Sequence, residues 1–327
     1  MARIIAADGE LTVSKRSDRR ASPLGTRRWL RGLALAAGLV SLGGCAWLDA
    51  QQRELVLRPS PGRPEAYATD GAGMHPGDQR YFVNLSTSES KPAQASGGGQ
   101  LAMWWLPQAD PAAPTLLYLH GTLRSLYGNL PKIEALRAAG FAILAVDYRG
   151  WGDSTAIIPS EATITADAAV AYAELVKHQP DPGRRVIFGH SMGGSVAVTL
   201  ASGLHRGRDY GALILESTFT RMPDVAREIG AIGQLAGAIT TLEFDSIDKI
   251  GRVDAPMLIV HGNADNTVPV QLGRRLRDAA EQAGRVPVRY VEIAGGSHSG
   301  LHKEAPGIYR EAMRSLMAEL AEPPRSR

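Results

Sequence analysis

The chain has 327 residues, room for one large core or two small domains, and its 44% hydrophobic and 21% charged content is ordinary for a globular protein. The formal net charge of +3 is uneven: residues 1–44 carry eight Lys/Arg against three acids, leaving 28 against 30, a net of −2, for the remainder. The body of the chain therefore lacks the electrostatic footprint of a nucleic-acid binder, and the single cysteine, Cys45, excludes an intramolecular disulfide.

Residues 1–44 read as a leader. A basic segment ends at Arg31, an apolar run covers 33–40 and small residues follow, which is the pattern of a secretory signal. The run falls short of the roughly 20 residues a membrane span requires. Leu42-Gly43-Gly44-Cys45 resembles the bacterial lipobox. That resemblance implies that Cys45 becomes the lipidated first residue of a mature lipoprotein, partnered with a membrane on the periplasmic side of the cell envelope. Ala46 stands where an aspartate would resemble an inner-membrane retention signal, so the outer membrane is favoured. The alternative is a plain signal, or an uncleaved anchor with an incidental cysteine.

Residues 45–79 read as a tether and approach segment to a domain over 80–327. The prolines and glycine of 58–64 exclude helix and central strand, and 53–57 reads as a short edge strand. Strands are expected over 80–85 and 100–106, joined by a polar hairpin loop ending in three glycines. Trp104 and Trp105 should pack on sheet faces. Beyond Thr115 apolar strands alternate with helices. A strand over 116–119 ends in His120-Gly121. A helix over 130–139 stops at Gly140. Strand Ala142–Val146 and helix Glu161–His178 precede a strand over 185–188 and a helix from 196. Further strands cover 213–215, 257–260 and 288–293, with helices over 270–283 and 305–320. Continuous apolar strands between helices imply an α/β fold with a mostly parallel, doubly wound sheet covered on both faces.

The organising stretch is Gly189-His190-Ser191-Met192-Gly193, a Gly-x-Ser-x-Gly between a short β-branched strand and a small-residue helix. A strand that turns sharply into a helix around a serine is a nucleophile elbow. Its glycines are needed because side chains there would collide with the crossing backbone. Ligands of such sheets bind beyond the carboxyl ends of the strands, where the polar clusters sit. A serine nucleophile needs a base, and the base an acid to orient it. Asp265, five residues beyond Val260, is the expected acid, with Glu216 at the end of an earlier strand as its competitor. His298, in a glycine-rich loop after Ile293, is the expected base. His302 is its alternative, expected to begin the last helix and point outward, while the His190 ring should face away from the serine. The oxyanion donors are the N–H of Met192 and, from the loop after His120-Gly121, that of Thr122. This chemistry needs neither metal nor organic cofactor.

Taken together, His120-Gly121, residues 147–154, Gly189–Gly193, Asp265 and His298 resemble the α/β-hydrolase superfamily over about 116–302. Residues 216–220 and 244–250 look like its branch of monoacylglycerol hydrolases, serine-aminopeptidase-like proteins and membrane-associated depalmitoylases. The loop from Thr122 to Asn129 departs from that branch, being longer and bulkier. The resemblance implies hydrolysis of a small-molecule or lipid acyl ester through an acyl-enzyme. Thioesterases and serine peptidases share the same residues, and a non-catalytic lipid-anchored binding protein is the rival class. Residues 216–250 would form a helical, lid-like insertion after the sixth strand. Its Ile229, Ile232, Leu235 and Ile239 recur at helical spacing, as core or as the wall of an apolar acyl pocket.

Overall fold

A computed structural model describes residues 46–69, 71, 73–85, 98–228 and 240–321. Cys45 and the leader, the tip of the expected hairpin at 86–97, and the stripe Ile229, Ile232, Leu235 and Ile239 lie outside the described residues. One compact unit runs from Asp49 to Arg327; of the other, Met1–Leu48, only 46–48 are described.

Eight strands make one sheet: β1 (Gln79–Leu85), β2 (Gly99–Leu106), β3 (Thr115–Leu119), β4 (Ala142–Val146), β5 (Arg185–His190), β6 (Ala212–Glu216), β7 (Met257–Gly262) and β8 (Val288–Ile293). Their spatial order is β8-β7-β6-β5-β3-β4-β2-β1. The pairs β1–β2 and β2–β4 are antiparallel and all the others parallel. Every residue of β3, β4, β5, β6 and β7 is buried, as expected of parallel strands covered on both faces.

The strand period of two divides these residues between two cores. Leu117, Leu119, Leu144, Val146, Ile187, Leu213, Leu215 and Ile259 join one core. It is covered by α2 (Glu161–His178), α3 (Met192–Ala201) and α5 (Val270–Ala283). Their neighbours Leu116, Tyr118, Ile143, Val186, Phe188, Ile214, Leu258 and Val260 join the other, beneath α1 (Leu126–Ala139) and α6 (Pro306–Ala321). Trp104 is buried, and Trp105 stacks on His178 with ring centroids 4.3 Å apart.

Three expectations are corrected. Residues 51–57 are helical, not an edge strand. A short apolar run carries no periodicity that separates the two; here Leu57 is fully buried in the core, and Arg53 pairs with Asp49 one turn back. The approach segment is also built into the fold: Ser60–Pro61 pairs with Trp151–Gly152, and Arg63 bridges to Asp153 at 2.9 Å. Finally, α1 begins at Leu126, four residues before the expected start, with Pro131 inside it. Pro131 removes only the hydrogen bond to residue 127, while the Leu126 N–H is capped by the Asp147 carboxylate at 2.8 Å. Of the expected lid, α4 (Met222–Glu228) is described. Leu242 and Phe244 are core residues, and the Phe244 carbonyl accepts from Ser195 Oγ at 2.6 Å on α3.

Leu144, fully buried in the central strand β4, tests the two-core arrangement. Leu144→Ala should lower unfolding free energy by about 2–5 kcal/mol, read from urea denaturation. A loss under about 1 kcal/mol would place this side chain outside a close-packed core.

Candidate active site

The turn from β5 into α3 is decided by backbone crowding. A Cβ on Gly189 would lie 2.2 Å from the Gly193 carbonyl oxygen, and one on Gly193 would lie 2.1 Å from that of Leu119 on β3. Strand, turn and helix therefore touch with nothing between them. Ser191, at the apex, takes φ 55° and ψ −123°, a region that costs a residue with a side chain about 1–3 kcal/mol. Three hydrogen bonds hold it there. Its N–H donates to the Glu216 carbonyl at 2.9 Å, and its carbonyl accepts from Thr218 Oγ1 at 2.6 Å and from the Gly194 N–H at 2.9 Å.

Ser191 Oγ lies 3.0 Å from His298 Nε2, and His298 Nδ1 lies 2.8 Å from Asp265 Oδ2. An ionised carboxylate can only accept, so Nδ1 carries the ring proton and Nε2 is left to accept from the Ser191 hydroxyl. The loop bearing His298 is pinned from two sides. Ser297 donates through N–H and Oγ to the Glu304 carboxylate at 2.7 and 2.6 Å, and the His298 carbonyl accepts from His190 Nε2 at 3.0 Å. Burial, with Lys132 and His298 nearby, pushes His190 well below its ordinary value. His190 is thus a neutral donor to the His298 backbone, and its ring packs beside that of His298.

Asp265 sits in a turn after β7, where burial alone would raise its pKa. The His261 ring beside it, the hydrogen bond from His298 and that from the Val268 N–H outweigh that and hold the carboxyl well below the usual carboxylate range. The Thr267 N–H donates to the same oxygen as Val268, each at 2.8 Å. His261 is a partner the sequence reading missed. Fully buried at the end of β7, it donates through Nε2 to the Val268 carbonyl at 2.9 Å and lies 3.4 Å from Asp265 Oδ2. Gly273 on α5 makes room for its ring, since a Cβ there would stand 2.3 Å from His261 Nδ1. The only trace in the sequence is a histidine four residues before the aspartate, which an apolar strand end disguises.

The competitors are placed elsewhere. Glu216 ends β6 beside His190, but its carboxylate pairs with Lys132 and accepts from Tyr309 Oη at 2.7 Å, on the α1/α6 face. His302 does not begin the last helix or point outward. It lies in the separate turn Leu301–Glu304, half-buried, both ring nitrogens without a hydrogen-bond partner among the described residues. Burial, reinforced by Lys132, lowers it to about 4. His120 is buried and neutral, lowered to about 4 by burial, and donates from Nδ1 to the Gly121 carbonyl at 2.6 Å.

A cleft opens over Ser191, with the 121–124 loop on one side and Thr267, His298 and Ser299 on the other. Thr122 lines it, and its carbonyl accepts from Trp151 Nε1 at 2.7 Å. Gly121 lies so near the elbow that a Cβ on it would be 3.0 Å from Ser191 Cβ. Met192 is the first residue of α3, in the turn whose N–H groups have no partner within the helix.

The family described as serine aminopeptidase, S33, matches residues 110–247. An uncharacterised protein of Mycobacterium tuberculosis is 32% identical over 291 residues, covering 86% of this chain and 93% of its own. The lysophosphatidylserine lipase ABHD12 of Danio rerio is 31% identical over 237 residues, 65% of this chain and 62% of that protein. Among solved structures, the esterase Pf2001 of Pyrococcus furiosus superposes with a TM-score of 0.60 over 80% of this chain and 97% of its own. At 16% identity, that likeness is one of fold.

His302 yields a pH prediction. Between its ordinary value of 6.5 and about 4, the unfolded chain binds a proton that the folded chain refuses. The resulting stability is complete above 6.5 and is lost as pH falls towards 4. His302→Phe should therefore lose less stability than the parent across this interval in urea titrations. Equal losses would mean that the ring titrates freely.

Proposed function

The chain belongs to the α/β-hydrolase superfamily, and from that premise we propose that it is a serine hydrolase cleaving an acyl ester through an acyl-enzyme. The observation that carries the reading is the hydrogen-bonded chain from Ser191 Oγ through His298 to Asp265 at the floor of an open cleft.

Ser191 Oγ attacks the acyl carbonyl while His298 Nε2, 3.0 Å away, takes its proton. The imidazolium that forms is stabilised by Asp265, which stays ionised because its pKa is depressed. The carbonyl oxygen, now negative, is received by the N–H groups of Met192 and Thr122. Each such donor is worth about 3–4 kcal/mol in the transition state. Being backbone groups, they need no reorganisation as charge develops. His298 returns its proton to the departing alcohol oxygen as the tetrahedral intermediate collapses. Water then attacks the acyl-enzyme by the same route and releases the carboxylic acid. The lipase among the relatives supports an acyl ester substrate, small or lipidic. The family description of the 110–247 match supports a second reading, a serine peptidase, with His298 protonating an amine instead.

We propose further that lipidation at Cys45 holds the enzyme to a membrane of the cell envelope. The support is the leader and Leu42-Gly43-Gly44-Cys45; each buried methylene adds about 0.8 kcal/mol to anchoring.

Ser191→Ala should abolish both fluorophosphonate labelling and hydrolysis of p-nitrophenyl butyrate while the protein stays folded; undiminished labelling would end the assignment. Cys45→Ala should shift the protein from the membrane to the soluble fraction. Continued retention would point to an uncleaved apolar segment.

A further inference from the structure

Arg124 stands on the rim of the cleft that Ser191 floors, in the same loop as Thr122. Among the described residues no carboxylate pairs with its guanidinium. The acids around the site have partners of their own: Glu216 pairs with Lys132 and Tyr309, Asp265 with His298 and His261, and Asp147 accepts from the Leu126 N–H through Oδ1. Among the described residues the positive charge therefore has no carboxylate opposite it; burial is the main cause that lowers His190 and Lys132, and the Arg124 charge adds a little in the same direction.

The residue is exposed, and its side chain is braced along the stem. Its stem lies across Gly128 on the first turn of α1, where an added Cβ would stand 2.9 Å from Arg124 Cβ and 3.1 Å from Cδ. Asn129 Nδ2 donates to the Arg124 carbonyl at 3.0 Å and to that of Ser125 at 2.9 Å, fixing the loop from below. A guanidinium presents a planar fork of N–H donors that matches phosphate or carboxylate oxygens in pairs.

We infer that Arg124 forms an anion subsite beside Ser191, so that the preferred substrate is an acyl ester whose alcohol portion carries a phosphate or a carboxylate. The inference rests on the serine-hydrolase reading and narrows it. The acyl group is transferred to Ser191, so the charge belongs to the part that leaves. Engaging the anion at the rim turns the ester oxygen towards His298 Nε2, which must protonate it.

The test compares three donors of one acyl chain: 1-octanoylglycerol (neutral), 3-O-octanoylglycerate (carboxylate) and 1-octanoylglycerol 3-phosphate. The wild-type enzyme should prefer at least one anion over the neutral ester in kcat/KM by about tenfold or more, and the larger ratio identifies the head group. Arg124→Ala should cut that ratio by about tenfold, Arg124→Lys should restore part of it, and added salt should erode it. Gly128→Ala, which displaces the stem but keeps the charge, should lower it too. No preference in the wild type, or a ratio unchanged in Arg124→Ala, overturns the subsite. Fluorophosphonate labelling of Ser191 reads the hydrolase assignment separately. Calorimetric binding of 1-octanoylglycerol 3-phosphate to Ser191→Ala protein tests the subsite without turnover. Arg124→Ala in that background should weaken binding about tenfold, and equal binding overturns the subsite whatever the labelling shows.

Discussion

Backbone meeting backbone at the end of β5 is the constraint on which the rest of this structure depends. Gly189 against the Gly193 carbonyl, and Gly193 against that of Leu119, bring strand, turn and helix closer than any side chain permits. Ser191 is thereby forced to a positive φ. A conformation of that cost persists only when its surroundings over-determine it. Here they do so through the Glu216 carbonyl, Thr218 Oγ1 and the Gly194 N–H. The hydroxyl is delivered to the carboxyl edge of the sheet, where the loops after β3, β7 and β8 also arrive. The proposed chemistry draws on that convergence alone.

Behind the cleft, buried ionisable groups are separated by partner. Asp265 keeps its charge because two histidines and two backbone N–H groups face it. Lys132 and Glu216 neutralise one another on the opposite face of the sheet, with Tyr309 satisfying the second carboxylate oxygen. His120, His190 and His302, for which burial leads the causes, are all held in the neutral form. The result is a cleft whose floor carries one ionised acid behind one imidazole, and whose rim carries a guanidinium with no acid opposite it among the described residues. Such a distribution suits the transfer of a proton at the floor and the reception of an anion at the rim.

Much of the architecture was legible in one dimension. Buried parallel strands need unbroken apolar runs, and the helices between them need caps, so 142–146, 161–178, 270–283 and 288–293 could be bounded from composition and glycines alone. Elements failed where the local signal was mute. The helix at 51–57 has too few residues for its period to appear, and α1 hides its first turn behind a proline. Trp151–Gly152 pairs with Ser60–Pro61 through only two residues on each side, which no pattern announces.

The sequence by itself determined which chemistry-bearing residues stand at strand ends. The carboxyl-edge rule follows from the alternation of elements, and it selects Ser191, Asp265 and His298 as residues able to meet. Only the tertiary structure decided between acids and between histidines. Glu216 is claimed by Lys132 from a helix far away in the chain, His302 is turned into a half-buried site where its ring nitrogens have no hydrogen-bond partner among the described residues, and His261 is brought behind Asp265 by the packing of α5. The physical reason is range. Propensity and periodicity act over a few residues, whereas the state of a buried charge is set by whatever side chain folding brings within about 4 Å of it.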